Sequence, residues 1–164
     1  MSRSRAWRLA AALGTSRAVM EAQTRAALAS DPVAGEPGWL AEMRPLGAAW
    51  GTYLESLGIE GPASLFELGD AMADHYINVR GWLLLSPEQA RDERAMLGRL
   101  TAQFPPTWPY ATMVPVFSRD GDLLLLSPDG RVLQWLHDAF EDDPKVVAAT
   151  LDALIETWLD VLER

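Results

Sequence analysis

VPVFSRDGDLLLLSPDGRVLQWLHDAFEDDPKVV, residues 114–147, is the stretch whose reading decides the fold. Two turn signals, Arg119-Asp120-Gly121-Asp122 and Pro128-Asp129-Gly130, divide it into three runs rich in strand-forming residues. Asp-Gly supplies the positive φ angles of short hairpin turns, so each signal predicts a sharp reversal. The middle run, Leu123 to Leu126, is apolar throughout and suits a central strand covered on both faces. In the third run Leu133 and Trp135 alternate with Val132, Gln134 and Leu136. The pattern predicts an antiparallel meander over about 113–137.

Working outward toward the C-terminus, Pro144 precedes a predicted helix from Val146 to Leu162. Its apolar stripe is Val147, Leu151, Leu154, Ile155, Trp158, Leu159 and Leu162. Asp142 and Asp143 stand just ahead of it, where acids complement a helix dipole. Working upstream, Met113 to Phe117 opens the meander, and Pro115 marks an edge position or a bulge. The run Pro105-Pro106-Thr107-Trp108-Pro109 must end the helix before it. That helix starts with Ser86-Pro87-Glu88-Gln89, a cap, a first-turn proline and a capping-box partner. It should run to about Phe104 and bury Ala90, Met96, Leu97 and Leu100.

Tyr76 to Leu85 reads as a strand with Gly81 as a bulge, preceded by a short helix over Ser64 to Ala73. Trp39 to Leu57 carries an apolar helical stripe that Gly58 stops, and Pro45 either breaks it or begins a second helix. Pro and Gly in residues 31–38 (DPVAGEPG) read as a linker, and residues 1–30, rich in Ala and Arg, as an N-terminal helix or arm. The arm's basic composition is also compatible with a targeting or membrane-surface role. The domain expected from this is residues 39–164. The expected class is α+β, a small antiparallel sheet with helices covering one side and a C-terminal helix.

A single domain of 164 residues buries about 70% of its unfolded surface, enough for a core without staples. Cysteine is absent, which removes disulfides, thiolate metal sites and a Cys nucleophile. No apolar run reaches membrane-spanning length. With no clean secretory signal either, a cytoplasmic location is the expectation. Residues 1–30 hold five arginines against Glu21, whereas the remainder holds 9 basic and 22 acidic residues, a balance of −13 within an overall −9. Such a body repels nucleic acid and steers basic partners toward itself.

The catalytic inventory is thin. His75 has an acidic neighbour, Asp74, and no second ligand at helical metal spacing. His137 stands beside Asp138, with Glu141, Asp142 and Asp143 following, again without a recognised ligand spacing. Asp120 and Asp122 could pair as acid and base, but in a two-residue turn they are better placed to shape the reversal. No phosphate-binding glycine loop or nucleophile elbow is present, and Ser118 has no evident base. The residues point to a binding protein that uses no metal or cofactor.

One series of short pieces carries a resemblance. It runs Trp108-Pro109-Tyr110, Val114-Pro115-Val116, then Asp120-Gly121-Asp122 leading into Leu123 to Leu126. Gly130-Arg131-Val132, Trp135, His137-Asp138 and Val147-Ala148 before the last helix complete it. In this order they resemble the SMI1/KNR4 family, the SUKH superfamily, over about residues 80–163. The resemblance implies an α+β fold without catalytic machinery. Bacterial members are commonly immunity proteins that neutralise a cognate toxin by direct binding. The expectation is therefore a non-enzymatic protein-binding domain, its partner a cognate, basic, nuclease-like toxin. The candidate contact patch is Asp120, Asp122, Trp135, His137, Asp138, Glu141, Asp142 and Asp143, with Trp135 either an exposed anchor or part of the core. Two alternatives stand beside it: a regulatory scaffold or adaptor of the same fold, or a metal-dependent enzyme using His137 and the acids near it.

Overall fold

In the computed structural model, residues 4–13, 17–31, 35, 45–71, 80–103, 112–140, 142–162 and 164 are described. The organising stretch forms β2 (Val114–Arg119), β3 (Asp122–Leu126) and β4 (Val132–Trp135), joined by the two Asp-Gly turns. β1 (Leu83–Leu84) pairs with β2, and β5 (Lys145–Ala148) with β4. The sheet is antiparallel throughout, in the order β1-β2-β3-β4-β5. β3 is its centre. Leu124 and Leu126 face one apolar cluster, Leu123 and Leu125 the other.

The register of β2 shifts between Pro115 and Phe117. This bulge at Val116 turns Phe117 onto the same side as Val114 and Val116, where its ring meets Trp158 edge-on at 5.1 Å. Pro115 therefore marks a bulge, and the strand lies inside the sheet rather than at its edge.

Six helices are described: α1 (Arg5–Ala12), α2 (Arg17–Ser30), α3 (Gly47–Ser56), α4 (Ala63–Ala71), α5 (Pro87–Gln103) and α6 (Leu151–Leu162). The main core joins α1, α3, α4 and α6 to one face of the sheet. The opposite face is not bare, contrary to the expectation of helices on one side. Leu97 of α5 is buried there with Met113, Leu123, Leu125, Leu133 and Trp135, and Met96, Leu100 and Phe140 pack beside them. An all-apolar β3 has to be covered twice, and α5 supplies the second cover.

The local signals are realised closely where they are self-contained. Ser86 Oγ accepts from the Gln89 amide at 3.1 Å, and Gln89 Oε1 accepts from the Ser86 amide at 2.9 Å, closing a capping box. Gly58 ends α3 in a Schellman cap, with Ile59 N–H donating to Leu54 O and Gly58 N–H to Glu55 O.

Three expectations need correction. The last helix starts at Leu151, not Val146, and Thr150 caps it by accepting from the Ala153 amide at 3.1 Å. Val146 and Val147 belong to β5, because two adjacent β-branched residues serve the open edge of β4 better than a first helical turn. Of the strand expected over Tyr76 to Leu85, residues 76–79 lie outside the described residues, and the described part is strand only at Leu83–Leu84. Arg80 and Gly81 form a turn ahead of it, with φ of 56° and 87°, so Gly81 is not a bulge within a strand. Residues 1–30 carry helices, the first of the two alternatives, but α1 packs into the folded body expected to begin at residue 39. Ala6, Leu9 and Ala10 of α1 are fully buried, and Arg5 forms an ion pair with Glu156 of α6. Positions 39–44 of the expected Trp39 to Leu57 helix, Pro105 to Pro109 and His75 lie outside the described residues. Among the described residues, no helix is long and apolar enough to cross a membrane.

Candidate functional site

The β2–β3 hairpin turns through Asp120 and Gly121, with φ of 49° and 94°. Two consecutive positive values make the tight reversal that matches the twist of its strands. Asp122 then opens β3. Because Leu123 pairs with Trp135, Asp122 lies beside the point where β4 ends and the chain enters a 3-10 turn, His137–Ala139. Its Oδ1 accepts twice from one residue, from the His137 backbone N–H at 3.0 Å and from the ring nitrogen Nδ1 at 2.8 Å. The other ring nitrogen, Nε2, lies 2.9 Å from Asp138 Oδ1. A Cβ on Gly121 would come within 3.1 Å of the imidazole, so the ring lies flush against the turn.

The electrostatics follow from that geometry. The hydrogen bond from Asp122 raises His137 above its ordinary 6.5, and the charges of Asp138, Asp122 and Asp120 add to it, while desolvation opposes. Asp120, Asp122, His137 and Asp138 are thus one constellation, drawn from a turn, a strand start and a 3-10 turn. Asp142 and Asp143 follow as exposed residues before β5. Glu141 lies outside the described residues.

Trp135 is the correction. It is 3% exposed and belongs to the second apolar cluster, so it cannot anchor a partner without leaving the core. Its strand alternation puts it opposite Val132, and α5 turns that face into interior. Exposed apolar surface is found next to it instead. Leu136 is 43%, Val146 46% and Val147 37% exposed. The β4 alternation brings Leu136 into view from sequence, whereas the two valines fit a helical turn that does not form.

With both ring nitrogens facing carboxylates, His137 has no nitrogen turned toward a nucleophile. Among the described residues, no group of three or more His, Asp or Glu side chains is arranged to hold a metal ion. What the segment after β4 and strand β5 offer is negative charge together with three exposed apolar side chains, Leu136, Val146 and Val147. No protein-family model matches the chain, and no curated protein sequence matches it.

Proposed function

We propose that this chain is a protein-binding domain that neutralises a basic partner, in the manner of the SMI1/KNR4 immunity proteins whose motif order it resembles. The observation that supports the reading is that the segment from Leu136 to Val147 exposes apolar side chains, Leu136, Val146 and Val147, along with the acids Asp138, Asp142 and Asp143. An apolar centre with a charged rim is the general anatomy of a protein interface. The charge speeds and orients encounter with a cationic protein, and burial of the exposed apolar side chains slows its departure. The −13 balance of residues 31–164 extends the same attraction over the whole body. A cognate toxin of the nuclease type, itself basic, is the partner this chemistry suits.

The test is purification of the tagged full chain with the product of each neighbouring gene, followed by binding kinetics. The expected result is a complex with a basic protein. Asp138→Lys should slow association, an effect that shrinks with added salt, and Val146→Ser should speed dissociation by about tenfold. Absence of any complex at low salt, or a complex indifferent to both substitutions, removes the reading.

A further inference from the structure

The His137 ring is held from both sides, and that has a consequence for its proton. A neutral imidazole carries one N–H and one lone pair, so it can donate to only one carboxylate. Here Nδ1 lies 2.8 Å from Asp122 and Nε2 2.9 Å from Asp138. The Asp122 contact is a hydrogen bond and the Asp138 contact an ion pair, and only the doubly protonated, charged ring favours both. The two contacts are unequal. Asp122 is 18% exposed and is fixed a second time by the His137 backbone N–H, whereas Asp138 is 87% exposed. When the ring loses a proton, the better-held Asp122 keeps the N–H on Nδ1. The lone pair then falls on Nε2 and faces the Asp138 carboxylate. The charged groups facing the ring are Asp122 at the start of β3, Asp120 in the β2–β3 turn and Asp138 beside it. All three favour the proton.

We infer that His137 is a proton-operated latch on Asp138: protonated, the ring holds Asp138 at Nε2 while Asp122 holds it at Nδ1, and deprotonated, it lets go of Asp138 while the tie from Asp122 at the start of β3 stays. The latch acts within the chain, whether or not a partner docks on this face. Its sign is fixed by the direction of the shift. A group raised on folding adds stability that is fully present below its unfolded value of 6.5 and lost as the pH rises through the folded value. Opening adds one uncancelled negative charge to the face and releases the Asp138 side chain within the 3-10 turn, while the Asp122 tie stays, so charge and local order change together on the alkaline side.

The experiment is an NMR titration of the two imidazoles in the full chain, with His137→Gln assigning the signals. His137 should titrate above 6.5, Asp138→Asn should lower its midpoint, and Asp122→Asn should lower it further. Amide exchange over residues 138–140, corrected for intrinsic rates, should quicken above the midpoint in the wild type and stay level in His137→Gln. Asp138 is a surface residue, so its variant keeps the fold and its result is decisive. A midpoint at or below 6.5, or one that Asp138→Asn leaves in place, overturns the latch.

Discussion

Gly121 and Gly98 are both exposed glycines, and they should respond to alanine in opposite ways. Gly121 has φ of +94°, and a Cβ there meets the His137 ring at 3.1 Å. Gly121→Ala should cost about 1–3 kcal/mol in urea unfolding and displace the imidazole. Gly98 lies in the interior of α5, and an added methyl group there would find nothing within 4 Å. Gly98→Ala should therefore stabilise by about 0.5–1 kcal/mol in the same measurement. Asp129, in the second turn, gives a pH signature. Its carboxylate takes hydrogen bonds from the Ser127 hydroxyl and then from Arg131, which lowers it to about 2 from 3.8. A depressed acid contributes stability above its unfolded value and loses it as the pH falls toward the folded one. Unfolding measured between pH 4 and pH 2 should therefore show a shallower loss in Asp129→Asn than in the wild type.

Among the elements, α5 is the one whose start is written most plainly in its residues. Ser86→Ala opens the capping box and should lower stability by about 1 kcal/mol, read as a shift in the thermal midpoint. The box, the Asp-Gly turns and the Gly58 stop are legible because each is complete within a few neighbouring residues. β5 is not, since Val146-Val147 fits either period over so short a run, and what decides it is the vacant edge of β4. Trp135 shows the same limit in the site. Alternation tells which residues share a face with it, but only the arrival of Leu97 from α5 makes that face interior. The pairing of Asp122 with His137, fifteen residues apart, needs the register of β3 on β4 and has no local trace. The acids themselves are legible by type and by order.

At the scale of the whole molecule, α1 shows how much a small residue can conceal. Its buried face is Ala6, Leu9 and Ala10, two of them too small to register as an apolar stripe, yet they let the helix approach α4 and α6 closely. Leu9→Ala should cost about 2–5 kcal/mol, the range of a buried leucine deletion, measured by urea unfolding of the full chain. An unchanged midpoint would mean that α1 is dispensable.

The packing of residues 5–12 against residues 151–162 also bears on synthesis. Helix α1 is synthesised well before α6, one of the two helices it packs on. Until α6 emerges, the apolar surface that it covers stays open and a chaperone has something to hold.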